Sequence, residues 1–378
     1  MRRIRGPLAG ALSLLLLAVG AMLVARPGRA AGTVRPGNAP RPFRIPALPR
    51  FGAIRTVDQN DVGDPFILAV PPAVRPPAGI PYATRGPDAY QSAPWGAANT
   101  ATALSHGWYV LFGTTDWQGN VPTAISTDLV HWTQAPDSLP VLPPWAAPTI
   151  SMTWAPAAQK TRTGWVMYYS TQEAASGLEC IGRAISPSPA GPYTDRSATP
   201  MVCQRDLGGS IDPSVVKTKR GATFLVWKND GNAMRASDSL WVQQLAPDGL
   251  GVVGHVRRLL TADQPWQNKI IEAPAMTPAS AGGYWLFYSG GDWNSGAYGT
   301  GLAYCKSIGG PCVEASPKPV MATRSPLLSP GGLDTLTDTH GQHWVAFTAL
   351  VLVPSTWHPG RYYYNRVLDI APVLSGSV

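Results

Sequence analysis

Three short acidic motifs recur along the chain, each at the start of an apolar run. They are Asp64-Pro65, Asp212-Pro213 and Glu272-Ala273-Pro274. Nine to eleven residues beyond each of the two later acids, a glycine leads an aromatic strand, GATFLVWK and GYWLFYS. A ring of repeats would bring carboxylates at such positions into one shared cavity. Carboxylates that share a cavity can be forced into different protonation states, which is the physical basis of acid–base hydrolysis.

Downstream of residue 60 the sequence is typical of an all-β protein. Segments rich in Val, Trp, Tyr, Phe and Thr are separated by clusters of turn residues, and 39 Gly and 39 Pro disfavour long helices. One type of strand begins at Asp64, Trp154, Asp212, Glu272 and the Gly331-Gly332 pair. A second type follows Gly107, Gly164, Gly221, Gly283 and Gly341. A third type carries a turn such as STDLVHW, SPSPAGPY, APDGL or SIGGPC.

These strands predict a five-bladed β-propeller with four-stranded blades around a central channel. Starts of the first strand type are about 60 residues apart, except for an insertion in the first unit near residues 71–100. A β-sandwich would also give many short strands, but it would not repeat so regularly. Because the first strand of a propeller blade lines the channel, three acids and Trp154 are expected around its mouth. Such a cavity suits a sugar ring, which needs acceptors for its hydroxyls and an apolar face on which to stack.

The charge of the chain is concentrated in its leader. The formal charge is +8, but residues 1–50 contain nine Arg and no acid, which leaves 21 basic against 22 acidic residues. This pattern indicates targeting rather than nucleic-acid binding. Residues 1–31 have the basic start, apolar core and small-residue exit of a secretory signal peptide, with an uncleaved membrane anchor as the alternative. Residues 32–55 are predicted to be a Pro- and Arg-rich linker, and residues 56–378 the propeller.

The cysteines fit an exported protein. There are four, Cys180, Cys203, Cys305 and Cys312, and an even number predicts disulfides in an extracellular chain. Four cysteines allow three connectivities, which the sequence leaves open. Pairing of neighbours in sequence is the simplest, because each pair then falls within one repeat. A structural zinc would favour tight C-x-x-C pairs, which the sequence lacks.

The motifs GDPF, STDLVHW, TWAP, SIDPS, VWKNDGN…LAPDGL, IIEAP and SPGG…DTHG occur in this order over about residues 56–372. In order and at blade spacing they resemble glycoside hydrolase family 43, five-bladed propeller enzymes that act on arabinofuranosides and xylosides. The resemblance implies a glycosidase that cleaves bonds of the arabinan or arabinoxylan type with inversion, most simply an α-L-arabinofuranosidase. It implies that Asp64 is the general base, that Glu272 is the general acid, and that Asp212 orients the acid and tunes its proton affinity.

Physical arguments agree with these roles. Inversion needs two carboxyl groups about 6.5–9.5 Å apart, and the first and fourth of five blades face each other across a channel. The apolar neighbours of Glu272 and a nearby Asp212 are expected to keep Glu272 protonated, as a proton donor must be. Asp64 is expected in a more polar site that keeps it ionised. Asp-Pro also occurs in ordinary turns, but three acids at the heads of repeats favour function.

Three further residues are candidates for substrate binding. Trp154 is a stacking platform for a sugar ring. Arg366, in RYYYNRVLDI, resembles an arginine that the family places near the bound sugar, and the alternative is a surface arginine at a strand end. Lys228, in WKNDGN, is expected to reach the rim of the cavity, although a tight turn explains this segment equally well.

No metal or other cofactor is predicted. Members of the family often carry a channel histidine that helps to hold a metal or a water, and this chain reads Ser329-Pro330-Gly331-Gly332 there. A channel Ca²⁺ is therefore disfavoured. His340 and His343 are predicted to lie in a hairpin turn and on the strand that follows it.

Two other functions stay open. One is a carbohydrate-binding propeller without catalysis, and the other is a fructan-acting hydrolase that retains configuration. The expected partner is an oligo- or polysaccharide. A monomer is expected, with no nucleic-acid partner and no stable membrane partner once the leader is removed. The insertion in the first unit is expected to block one end of the channel, which favours exo action.

Overall fold

The computed structural model describes residues 44–58, 61–77, 95–116, 119–148, 152–354 and 362–374. The predicted signal peptide and residues 32–43 of the predicted linker lie outside these ranges. A compact unit begins at Ile45. Among the described helices, none combines the length and the hydropathy that crossing a membrane requires.

The strands of the described residues form five antiparallel sheets. The first strand along the chain is β1 (Arg55–Asp58). Blade 1 contains β2 (Phe66–Val70), β3 (Trp108–Phe112), β4 (Thr123–Ser126) and β5 (Thr133–Ala135). Blade 2 contains β6 (Trp154–Lys160), β7 (Trp165–Gln172) and β8 (Glu179–Ser186). Blade 3 contains β9 (Ser210–Lys217), β10 (Thr223–Asn229), β11 (Ser239–Leu245) and β12 (Val252–Thr261).

Blade 4 contains β13 (Ile271–Pro278), β14 (Tyr284–Gly290), β15 (Gly299–Cys305) and β16 (Cys312–Glu314). Blade 5 contains β17 (Gly331–Thr337), β18 (His343–Pro354) and β19 (Tyr362–Pro372), with β1 added at its outer edge. The predicted five-bladed β-propeller is confirmed, and β2, β6, β9, β13 and β17 are its inner strands. In blade 2, an isolated bridge between Ile185 and Thr194 lies where the other blades have a fourth strand.

The second strand of each blade is apolar on both faces because a neighbouring blade covers each face. In β7, Trp165, Met167 and Tyr169 pack in the apolar cluster shared with blade 1. The alternating residues Val166 and Tyr168 pack in the cluster shared with blade 3. Alternation along a strand places successive side chains on opposite faces, so a strand between two blades has no polar face. Similar clusters join the remaining neighbouring blades and close the ring.

Strand β1 closes the ring by pairing with the last strand of the chain. Arg55 lies opposite Ile370 and Thr56 opposite Asp369, while Gly52 N–H donates to Pro372 O at 2.8 Å. The compact unit also includes residues 45–55 of the predicted linker, while the predicted domain division stays a prediction. Sequence reasoning missed strand β1 because it has no partner nearby in the sequence.

The first blade contains an α-helix that the sequence analysis did not predict. Helix α1 (Ala97–His106) begins at the end of the predicted insertion, residues 71–100, and extends beyond it, and only Ala103 among its residues is buried. A helix with one buried position has no apolar stripe, which explains the missing periodic signal. Residues 78–94 of the insertion lie outside the described residues, so the predicted block of one channel end stays a prediction.

The local disulfide pairing is confirmed. Cys180 is bonded to Cys203, and Cys305 is bonded to Cys312. Cys305 and Cys312 are opposite each other in the β15–β16 hairpin. The described cysteines therefore leave no thiolate for a structural zinc.

Candidate active site

The inner strands share one backbone feature at the channel mouth. One residue of each blade has a positive φ: Asp64 (46°), Ala155 (46°), Asp212 (56°), Ala273 (47°) and Gly332 (58°). All but the last are followed by proline. This backbone region costs a residue with a side chain about 1–2 kcal/mol. Strain of this kind persists where the surrounding structure imposes it, and it is common at functional sites.

The five positive-φ positions correct the predicted alignment of the acidic residues between blades. Asp64 and Asp212 occupy the positive-φ position, whereas Glu272 precedes it and is equivalent to Trp154. Strand pairing shows the same offset, since Trp154 lies opposite Ser170 and Glu272 opposite Ser289. Blades 2 to 5 carry the same bulge, so the bulge does not produce the offset. The offset lies in the motifs, since Glu272 stands two residues before the shared proline, whereas Asp64 and Asp212 stand one residue before it.

A cavity of about 520 Å³ lies at the mouth of the channel. Its size is within the usual range for small-ligand sites. The cavity brings together all six residues that the sequence analysis selected, namely Asp64, Asp212, Glu272, Trp154, Lys228 and Arg366. Five of these residues lie on strands β6, β9, β10, β13 and β19, and Asp64 lies just before β2. Residues from several blades thus meet at one site.

Asp64 is held by a hydroxyl and faces a cation. Thr114 donates its hydroxyl to Asp64 Oδ2 at 2.6 Å. Burial raises the pKa of Asp64, while Arg366 and the Thr114 hydrogen bond act in the opposite direction. The polar partners expected for Asp64 are present, but burial outweighs them. The ionised state expected for Asp64 stays a prediction.

Asp212 links the third and fourth blades. Its Oδ2 accepts the backbone N–H of Ala273 at 2.9 Å, next to Glu272. Burial, followed by the carboxylates of Glu272 and Asp64, raises the pKa of Asp212 well above its usual range. Lys228 opposes this shift. Asp212 thus holds the backbone beside Glu272 and shares its electrostatic environment.

Both carboxylate oxygens of Glu272 have a partner. Tyr298 donates its hydroxyl to Oε1 at 2.8 Å, and the ammonium of Lys228 lies 3.3 Å from Oε2. Burial, then Glu272 and Asp64, raises the pKa of Tyr298 well above its ordinary value, so the phenol remains a donor. Sequence analysis missed Tyr298 because it lies in the loop after β14, 26 residues beyond Glu272.

Lys228 is buried beneath the cavity and does not lie at the rim. Its side chain is 1% exposed, and it forms ion pairs with Asp230, Asp238 and Glu272. Its ammonium therefore already faces protein acceptors. Sequence reasoning placed it at the rim because the adjacent Asp-Gly-Asn looks like an exposed turn.

Arg366 lies at the wall of the cavity between Asp61 and an aromatic ring. Its Nε donates to Asp61 Oδ1 at 2.8 Å, and its guanidinium carbon lies 5.6 Å from the ring centroid of Trp293. A side chain at Gly63 would collide with this guanidinium, which explains the glycine in the GDPF motif. Trp293 is 51% exposed and lines the cavity together with Trp154. Two tryptophans therefore offer apolar faces to a sugar.

The segment at the position of the family's channel histidine offers one side-chain hydroxyl, and the disfavoured channel Ca²⁺ stays a prediction. Its side-chain hydroxyl, on Ser329, donates to Ser295 O. Elsewhere in the described part of the chain, Glu173, Cys180 and Cys203 come close together, but both cysteines are in the disulfide and Glu173 is paired with Arg205. We derive no chemical step through a metal. His340 and His343 occupy the predicted turn and strand start.

A five-bladed propeller with carboxyl groups of three blades in one central cavity has the groups that acid–base hydrolysis of a glycosidic bond requires. The sequence profile described as "Glycosyl hydrolases family 43" matches residues 98–374, more than half of the chain. The chain belongs to this family, and it is a glycosidase. Asp64 precedes the matched range, so its place in the site depends on the structure. No curated protein sequence matches the chain.

Solved structures share the fold at low sequence identity. A thermostable family-43 glycoside hydrolase is 21% identical with a TM-score of 0.61, covering 71% of this chain and 86% of its own. An endo-arabinase from Bacteroides thetaiotaomicron VPI-5482 is 18% identical with a TM-score of 0.61, covering 85% and 97%. An endo-1,4-beta-xylanase from the same organism is 17% identical with a TM-score of 0.59, covering 86% and 98%. At these identities the similarity concerns the fold.

Proposed function

We propose that this protein is a secreted, inverting glycosidase that cleaves pentofuranosidic or pentosidic bonds of arabinan or arabinoxylan. The observation that carries this proposal is the meeting of Asp64, Asp212 and Glu272 in one cavity, each with different partners. Different environments give chemically identical carboxyl groups different protonation states, which acid–base hydrolysis needs.

In the proposed reaction Asp64 is the base and Glu272 is the acid. Asp64 accepts a proton from a water molecule as the water oxygen attacks the anomeric carbon. Glu272 donates its proton to the glycosidic oxygen as the carbon–oxygen bond breaks. The products are the inverted sugar and the free alcohol, and exchange with solvent returns both carboxyl groups to their starting states. The raised pKa of Asp64 favours the transfer to it.

Asp212 acts on the acid and not on the sugar in this scheme. Its hydrogen bond to Ala273 N–H fixes the backbone next to Glu272. Burial and the neighbouring carboxylates of Glu272 and Asp64 raise the pKa of Asp212, which supports an electrostatic role beside the acid.

The cavity favours a neutral sugar. Four acids line it, Asp64, Asp212, Asp230 and Glu272, against two cations, Lys228 and Arg366. Both cations are already paired with acids. A uronic acid or a sugar phosphate would therefore be repelled. Among neutral sugars, α-L-arabinofuranosides are our first choice and β-xylosides the second.

Secretion is supported by the two disulfides, which persist in oxidising compartments. The signal peptide stays a prediction. Amino-terminal sequencing of the protein from culture medium tests it, and a mature start near residue 32 is expected.

Glycosyl fluorides separate the acid from the base. Fluoride leaves without protonation, whereas the sugar alcohol released from an oligosaccharide needs a proton. Glu272→Gln is therefore expected to lower hydrolysis of arabino- and xylo-oligosaccharides by about 10²–10⁴ while losing far less activity on the matching glycosyl fluorides. Asp64→Asn is expected to lose activity on both substrates, because both need an activated water. Equal losses for Glu272→Gln on both substrates would contradict the assignment of the acid.

Two outcomes would support other functions. Sugar binding without hydrolysis of any pentoside or furanoside would indicate a carbohydrate-binding propeller. The anomer formed first, observed by NMR, tests the stereochemistry. A retained configuration would rule out inversion and support the fructan-type alternative.

A further inference from the structure

Lys228 occupies a blade position where the four other blades carry a hydroxyl. The register of the first two strands pairs Trp154 with Ser170, Ile211 with Lys228, Glu272 with Ser289 and Gly331 with Thr348. In blade 1, Thr114 N–H donates to Gly63 O, which places Thr114 at the same point. From blade 1 to blade 5, the residue at this position is therefore Thr114, Ser170, Lys228, Ser289 and Thr348.

Most of these hydroxyls join one blade to the next. The hydroxyl oxygens of Thr114, Ser170 and Ser289 accept the N–H of the positive-φ residue of the following blade, at 3.0, 3.1 and 2.8 Å. An ammonium has no acceptor, so Lys228 cannot make this bond. Between blades 3 and 4, Asp212 Oδ2 accepts the corresponding N–H of Ala273. Asp212 performs the linking role, and Lys228 reaches Glu272 instead.

The surroundings of Lys228 hold its ammonium in one place. Asn232 Oδ1 accepts from it at 2.8 Å, Asp238 Oδ2 lies at 3.2 Å and Glu272 Oε2 at 3.3 Å. Burial opposes the charge, but Glu272, Asp238 and the other nearby acids outweigh burial and raise the pKa of Lys228. The lysine is therefore a permanent cation below the cavity.

A permanent cation next to a proton donor creates a conflict. The ammonium orients Glu272 Oε2, but alone it would favour the ionised carboxylate. Asp238 also lies next to the ammonium, with Oδ2 at 3.2 Å, and its side chain is completely buried. Burial raises the pKa of Asp238 to about 6, although Lys228 acts against this shift. Above that pH Asp238 is charged and offsets the field of Lys228.

We propose that Lys228 and Asp238 form a buried positioning pair for the proton donor. In this pair Lys228 fixes Glu272 Oε2, and Asp238 neutralises Lys228 so that Glu272 can keep its proton. The inference rests on the proposed function of Glu272 and assigns Lys228 a role other than direct sugar binding. Asp230, 3.6 Å from the ammonium, and Asp212 add negative charge near Lys228. Tyr298 and Asp64 are the other titratable groups that face Glu272.

Two substitutions are expected to shift the pH–activity profile in opposite directions. Lys228→Met removes the cation, so the alkaline limb of kcat/KM is expected to move about one pH unit upward. Its maximal kcat on aryl glycosides should fall about tenfold, with KM changed less than about twofold, because the acid loses its orientation. Asp238→Asn leaves the cation unopposed, so the alkaline limb is expected to move about one pH unit downward.

Lys217→Met is the matched control. Lys217 lies on β9, and its side chain is exposed. The Lys217→Met substitution removes one positive charge from the surface, and it is expected to leave the alkaline limb of kcat/KM in place. Near-UV circular dichroism shows whether each variant folds, and Asp230→Asn, with a smaller expected downward shift, replaces Asp238→Asn if the latter does not fold.

Infrared titration of the protonated carboxyl band that Glu272→Gln removes gives a second readout without substrate. The midpoint of this band should rise in Lys228→Met and fall in Asp238→Asn. Shifts in the same direction, or no shift, would overturn the positioning pair. An inactive wild-type enzyme would refute the proposed function, while the infrared titration would still decide on the pair.

Discussion

The three carboxyl groups of the site differ in the neighbours that oppose their burial. Asp64 faces a guanidinium and a hydroxyl, Asp212 faces an ammonium and a backbone N–H, and Glu272 contacts Tyr298 and Lys228. Since all three come from similar strand starts, these neighbours and not the motifs create the chemical differences.

Arg366 is expected to set the acidic limb of the pH profile. Its charge lowers the pKa of Asp64 against the effect of burial. Without that charge Asp64 holds its proton to higher pH and is inactive as a base. In Arg366→Gln the acidic limb of kcat/KM should therefore move upward by about one pH unit.

The exposed Arg324 supplies the control for this measurement, since Arg324→Gln also removes one positive charge. Initial rates on an aryl glycoside across the acidic range give both profiles. A limb that stays in place or moves downward in Arg366→Gln would show that Arg366 does not act on Asp64.

At the level of elements, each blade depends on contacts at its two ends. At the channel, hydroxyls of the second strand bind the next blade. Farther from the channel, one disulfide joins two segments of blade 2, and the other joins two segments of blade 4. The bond between Cys180 and Cys203 spans 23 residues, and the bond between Cys305 and Cys312 spans seven.

Removal of the longer disulfide loop is expected to cost more stability. In the chain-entropy description, a cross-link over about 23 residues stabilises by roughly 3 kcal/mol, and one over seven residues by roughly 1 kcal/mol less. Urea unfolding of Cys180→Ala/Cys203→Ala and Cys305→Ala/Cys312→Ala measures both free energies of unfolding. Each double variant controls for the other, and the reverse order would show that local packing outweighs loop length.

At the level of the whole molecule, the ring is closed by a strand from the start of the chain. Val57 of β1 is 2% exposed and packs in the cluster that joins blade 5 to blade 1, which includes Ile67 and Leu368. The ends of the described chain therefore stabilise the same blade. This closure makes the five blades depend on one another.

Val57→Asp tests the closure. The substitution buries an unpaired carboxyl group at the joint between two blades, and it is expected to cost several kcal/mol. Thermal unfolding followed by near-UV circular dichroism should show a lower melting temperature for the entire propeller. Arg55→Asp, at an exposed position of the same strand, should change the melting temperature little. Normal melting of Val57→Asp would mean that β1 is dispensable.

Much of the fold was predictable because its signals are local. Each blade repeats an inner strand start, a glycine before an aromatic strand and a polar turn within about sixty residues. These local signals predict five blades and identify Asp64, Asp212 and Glu272. Strand β1 and helix α1 escaped prediction because β1 pairs with residues some 300 positions away and α1 buries a single side chain.

The site depended more on the tertiary structure. The sequence alone placed Asp64, Asp212, Glu272 and Trp154 near the channel, because they stand at the starts of inner strands. It did not identify Trp293, which also lines the cavity. Only the tertiary structure decided that Tyr298 binds Glu272 and that Lys228 is buried beneath it. The physical reason is that proton affinity and orientation depend on contacts within a few ångströms, and these contacts join residues from different blades.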